Sequence, residues 1–196
     1  MTEAEVYILA EQVLDKVIGQ ITADQWTMKI PEWFQIGRTQ DRDTIDLKTI
    51  INYHAYDTAW VPDTLTGKTM AEVGSRYDGD LLKDDPIRNY HKFSESAQSA
   101  ARAADPEATV HLSYGDFPAK VYLTHITSFR TFRAYDIAKL IGADTKLPDT
   151  LVQEVWNQTE PVIEDWRKMG VYKEAIEAPE GADQQTKLLC LVGRQP

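Results

Sequence analysis

Cysteine is nearly missing from this chain: Cys190 stands alone among 196 residues. One thiol closes no internal disulfide and builds no cysteine-rich zinc site. Its apolar neighbours in LLCLV read it as a small buried hydrophobe, not a nucleophile. Basic charge is also short. Against 31 Asp and Glu there are 21 Lys and Arg, a formal net charge of −10. A surface of that sign repels phosphate backbones and anionic headgroups, which argues against nucleic acid and membrane as partners. Long apolar runs are missing too. Glu3 and Glu5 precede VYILA, and polar residues return at Glu11 and Gln12, so neither a signal peptide nor a membrane span fits there. The cytoplasm is the expected compartment. Internal repeats, low-complexity blocks and phosphate-loop glycine spacings are absent as well.

What is present suits a globular chain with a sizeable core: 42% hydrophobic and 27% charged residues. Val6, Leu9, Ala10, Val13, Leu14 and Val17 recur at helical spacing and predict a first helix ending near Gly19. A long loop follows to about Thr44, holding Pro31 and the polar run GRTQDRD, with Trp26, Trp33 and Phe34 expected to pin it to the core. A second helix is predicted from Asp46 to Leu65, with Pro62 near its end. A third runs from Pro86 to Ala104 with Asp85 as its cap. ATVHL reads as extended and SYGDFP as a turn. A fourth helix then continues to about Leu140 and stops at Gly142, and a fifth runs from Pro148 and Asp149 to Met169. Such a pattern predicts an all-α fold: residues 1–170 form a helical bundle, and an irregular tail, 171–196, packs on it.

Two helices carry candidate chemistry. In YHAYDTAW, His54 lies on the apolar-leaning face and Asp57 follows three residues on. In the fourth helix His125, Phe129, Phe132, Arg133 and Asp136 fall within about 100° of one another. A buried charge without a partner is costly, so Arg133 and Asp136 are expected to be paired or to reach water. Trp60, Tyr53, Tyr56 and Tyr135 are candidate pocket walls, although helical aromatics more often serve the core. His91 and His111 belong to no constellation.

An ordered set of segments resembles a known family. ITADQW, the later PEW, LKTIINYHAYDTAWVPDTLTG, YHKFSESAQSAARA, FRAYDIAKLIG and LLCLVGRQP together resemble the actinobacterial DinB-like proteins related to mycothiol-dependent maleylpyruvate isomerase. The resemblance implies an up-down-down-up four-helix bundle, here with an extra C-terminal helix and a short irregular tail. It also implies a divalent metal such as zinc or nickel between helices, with mycothiol as co-substrate. One family ligand is a histidine of the second helix, matched by His54. The usual Glu and His of the fourth helix fall on Phe129 and Arg133, ahead of Tyr135-Asp136-Ile137-Ala138. A phenyl ring and a protonated guanidinium donate no lone pair to a cation.

His125, with Asp57 or Asp136, is a substitute ligand set, but the Arg133 charge would repel a metal beside it. The preferred reading has Arg133 replace the cation, bonding Asp136 or Asp57 and facing a neutral His54. It gives a protein with a degenerate metal site and no cofactor, whose cleft of His54, Asp57, Arg133 and Asp136 takes a small anionic molecule. The alternatives are an active metal- and mycothiol-dependent isomerase or S-transferase, and a non-catalytic protein that forms a homodimer through a bundle face.

Overall fold

The first four helices open on side chains that accept backbone N–H groups. Thr2 accepts from the Glu5 amide while the Glu5 carboxylate accepts from the Thr2 amide, a reciprocal cap that opens α1 (Glu3–Ile18). Asp46 caps α2 (Leu47–Leu65) through the Thr49 amide. Thr69 and Glu72 repeat the reciprocal cap on the single turn α3 (Met70–Val73), and Asp85 caps α4 (Pro86–Ala103). A hairpin, β1 (Thr109–Leu112) and β2 (Gly115–Pro118), leads into the longest helix, α5 (Ala119–Ile141). Gly142 ends α5 at φ 73°, a left-handed conformation that glycine adopts without strain. The computed structural model describes residues 1–36 and 41–196 and is mainly helical.

Among the described residues, α1 packs against both α5 and α4, and α4 against α2. Leu14, Ile18, Phe34, Leu47, Ile51 and Phe132 centre the larger core. A smaller core of Tyr7, Val61, Ala97, Val110 and Leu123 lies where the hairpin covers α2.

Several segments depart from the sequence expectation. The turn expected over SYGDFP is confined to Ser113 and Tyr114, because Gly115 to Pro118 pairs antiparallel with Thr109 to Leu112. The fifth helix is interrupted. α6 (Asp149–Thr159) gives way to a 3-10 turn at Glu160–Val162 before α7 (Ile163–Lys168), since Pro161 has no N–H to continue the ladder. The tail is not irregular throughout: Asp183 caps α8 (Gln184–Leu191), which buries Leu188, Leu189 and Cys190 and packs on α6. The run LLCLV was too short to show a helical period. Trp33 does not pin the loop to the core; it is 39% exposed, whereas Phe34 is fully buried. Of GRTQDRD, residues 37–40 lie outside the described residues.

One polar cluster is buried where the four long helices meet. Arg130 of α5 is 2% exposed and donates Nε–H to Glu11 of α1, itself fully buried, at 2.5 Å. Its Nη2 donates to Thr58 of α2 at 3.2 Å, and its Nη1 to the Ile126 carbonyl. Tyr90 of α4 donates its hydroxyl to the other Glu11 oxygen at 3.0 Å. The Tyr7 ring lies 5.1 Å from the guanidinium carbon. Burial opposes the Arg130 charge, but Tyr7, Glu11 and Tyr90 around it hold its pKa above the ordinary arginine value. One buried ion pair therefore ties together α1, α2, α4 and α5.

Glu11→Ala is expected to strand the Arg130 charge and cost about 3–5 kcal/mol, while Glu11→Leu combined with Arg130→Met costs far less. Urea unfolding of both variants measures this. A double variant as unstable as the single one would show that the pair itself holds the helices.

Candidate functional site

His54 and Arg133 meet across α2 and α5. Arg133 donates its Nε–H to Nε2 of His54 at 2.9 Å. An imidazole nitrogen that accepts carries no proton, so the neutral ring holds its hydrogen on Nδ1. That nitrogen is buried with no hydrogen-bond partner. Burial, then the charges of Arg133 and Arg130, hold the His54 pKa well below the usual histidine value. The Arg133 guanidinium stacks on the Phe34 ring at 4.7 Å, and its Nη1 donates to the Gln35 carbonyl at 2.9 Å. Phe34 and Gln35 are thereby fastened to α5. Burial lowers the Arg133 pKa to about 10, with Asp136 opposing the shift, so the group stays cationic at neutral pH.

Neither expected carboxylate bonds to Arg133. Asp136 is 3.9 Å from its Nη1, an ion pair beyond hydrogen-bond length. The oxygens of Asp136 are taken instead by Arg194, whose Nε donates at 3.2 and 3.3 Å and whose Nη2 donates at 3.1 Å. Both partners are buried, and the Arg194 guanidinium lies 4.7 Å from the Phe132 ring. Asp57, three residues beyond His54, makes no hydrogen bond or ion pair with Arg133 and has an exposed surface. Protein atoms crowd its carboxyl on the inner side, and that desolvation raises its pKa against the pull of Arg130 and Arg133. The solvent-exposed side limits how much this shift matters to stability.

A cavity of about 230 Å³ opens beside the Asp136–Arg194 pair, lined also by Trp33, Tyr135 and Lys173; of the four expected cleft residues Asp136 lines it and His54, Asp57 and Arg133 do not. Lys139 stands at its aromatic wall, 5.3 Å from the Trp33 ring and 5.8 Å from that of Tyr135, and donates to the Gln195 carbonyl. Gly193, beside Arg194, is at φ 71°, and a Cβ there would lie 2.6 Å from the Glu174 carbonyl oxygen. Glycine at 193 is required for the tail to bring Arg194 to Asp136.

The structure separates the substitute ligand His125 from His54. His125 pairs through Nδ1 with the Tyr114 hydroxyl at 3.2 Å and packs edge-on against Trp166. Phe129 is 41% exposed and also meets Trp166. Among the described residues, no three His, Cys, Asp or Glu side chains gather as a metal site. The donor set that the resemblance implies does not fit a metal here: the His54 lone pair is already engaged by a cation, and Phe129 supplies none. Of the candidate pocket aromatics, Tyr135 lines the cavity, Tyr53 is exposed, and Tyr56 packs on Trp60, which in turn meets Tyr77. His91 is held by Asp15 and His111 by Asp116, both at exposed positions. Cys190 is buried, which raises its thiol pKa.

Compared with known proteins, the chain matches no family model, no curated protein and no solved structure. Two participants escaped sequence reasoning. Arg194 sits in the quoted tail run LLCLVGRQP, and only its glycine-turned approach to α5 makes it a partner. Arg130 lies three residues before Arg133, but its partner Glu11 reads as an ordinary polar position of an amphipathic helix.

Asp136→Asn is expected to destabilise the protein by about 3 kcal/mol, because it leaves Arg194 buried without a counter-charge. Asp57→Asn is expected within about 0.5 kcal/mol of the parent, as an exposed group outside any bonded pair. Thermal denaturation ranks them, and a reversed order would show that Asp57, not Asp136, neutralises the arginines.

Proposed function

We propose that this chain keeps the scaffold of the DinB-like isomerase group, an up-down-down-up four-helix bundle, with an arginine standing where a metal-ligating histidine is usual. Its function on this reading is to bind a small anionic molecule in the cytoplasm, in the cleft beside His54, Asp57, Arg133 and Asp136. The observation that carries it is the Arg133 hydrogen bond into His54 Nε2. The nitrogen whose lone pair would ligate a cation accepts from a fixed positive charge instead. Arginine is suited to that exchange, since it stays protonated and offers several directed donors.

The neighbouring cavity supports an anion as the guest. Arg194 and Lys173 line it, Lys139 stands at its wall, and Asp136 is the one acid among its lining residues, already paired to Arg194. Within a chain of net charge −10, that local excess of cations favours a carboxylate or phosphate group over a neutral one. Trp33 and Tyr135 offer ring faces to an apolar body attached to it. No helix among the described residues is long and apolar enough to cross a membrane. The metal- and thiol-dependent chemistry of the rival reading draws no support from this donor set.

Restoring the ligands tests the reading. Arg133→His with Phe129→Glu is expected to give a protein that binds about one zinc or nickel ion per chain, with two histidines and a carboxylate forming an open three-ligand site. The parent is expected to bind none tightly. Calorimetric titration of both proteins with zinc decides it, and equal tight binding by the parent would end the substitution account.

A further inference from the structure

A second cavity lies on another face of α5, where α6 and α7 cross it. It encloses about 220 Å³, below the roughly 300–1,000 Å³ of drug-sized sites, so it suits a fragment-sized guest. Its lining is unusual for so charged a chain: no residue around it is Asp, Glu, Lys or Arg. The single titratable imidazole, His125, is held toward its neutral form by burial. An ionic guest would therefore enter without a counter-charge, a costly transfer.

The walls specify more. Trp166 meets His125 edge-on at 5.4 Å and Tyr172 at 6.3 Å, so flat ring surfaces bound the space. Most polar groups there are already satisfied. Tyr172 donates to Ser128 Oγ at 2.8 Å, and Thr124 donates to the Lys120 carbonyl at 3.1 Å. His125 Nδ1 is paired with Tyr114. Gln158 also lines the space, and its carboxamide oxygen, sealed among protein atoms, has no partner. An unpaired buried acceptor is costly, and a turn of the Gln158 carboxamide toward the cavity would let a guest's donor satisfy it. Val162, also lining the space, is 41% exposed and forms an apolar edge toward solvent. The geometry points to a binding site between α5 and the α6–α7 bend for a small uncharged planar ring carrying one N–H or O–H donor, which bonds Gln158 and packs against Trp166. This site is separate from the arginine cluster and does not depend on what binds there.

Indole supplies the ring and one N–H; N-methylindole supplies the ring alone. Titration of the full chain at pH 7.5, followed by amide chemical shifts, is expected to place indole against α5 and α6. N-methylindole should bind about 5- to 10-fold more weakly, the worth of one hydrogen bond. Gln158→Leu should erase that difference while keeping both ligands. Thr124→Trp, which fills the space with a ring of its own, should abolish indole shifts and leave the melting temperature near that of the parent. The proposal is overturned if indole produces no shifts at millimolar concentration, if its shifts survive in Thr124→Trp, or if the preference for indole survives in Gln158→Leu.

Discussion

The buried Arg130–Glu11 pair is the constraint on which the site depends. It fixes α5 in rotation and in height against α1, and Thr58 and Tyr90 carry the same fix to α2 and α4. Arg133 is three residues further along α5, just under one helical turn, and so presents its guanidinium to α2 as Arg130 does. The two cross-links form rungs: Arg130 reaches Thr58, and Arg133 reaches His54, four residues earlier in the chain. As the numbers climb on α5 they fall on α2, so the rungs require antiparallel helices. A slip of α5 by one residue would break both.

Arg130, Arg133 and Arg194, withdrawn from water around α5 in an acidic protein, need an account, and each receives the same treatment. Arg130 lies over Tyr7, Arg133 over Phe34 and Arg194 over Phe132. Each then finds acceptors: a carboxylate for Arg130, a carboxylate for Arg194, and an imidazole nitrogen with a carbonyl for Arg133. Only Arg133 lacks a carboxylate at hydrogen-bond distance. Its weakly hydrated, planar group tolerates this because ring stacking and neutral acceptors replace water on several sides. The two cavities flanking α5 divide accordingly, one rich in cations beside Arg194, the other without a formal charge beside Trp166.

Much of this architecture was legible in the sequence. The apolar spacing of Val6 to Val17, the caps Asp46 and Asp85, and the stops at Gly19 and Gly142 mark the long helices to within a residue or two. His54 and Arg133 stood out because each is polar on a mostly apolar face. What escaped depends on contacts distant in sequence. The Glu11–Arg130 pair spans 119 positions and the Asp136–Arg194 pair 58, and no local pattern announces either. The helix α8 was hidden because its apolar run is only one turn and a half long, whereas the bend at Pro161 was legible, since a proline inside a helical run marks a break.

The central claim is that the Arg133 cation holds the lone pair of His54. Nitrogen-15 NMR of the His54 ring tests it directly, because the two ring nitrogens report separately where the proton resides. The account predicts a neutral ring protonated on Nδ1, with Nε2 accepting a hydrogen bond. That form should persist as pH falls well below 6.5, the ordinary histidine value, and should be unchanged by added zinc. A proton on Nε2, ordinary titration near that value, or an Nε2 signal displaced by zinc would contradict it.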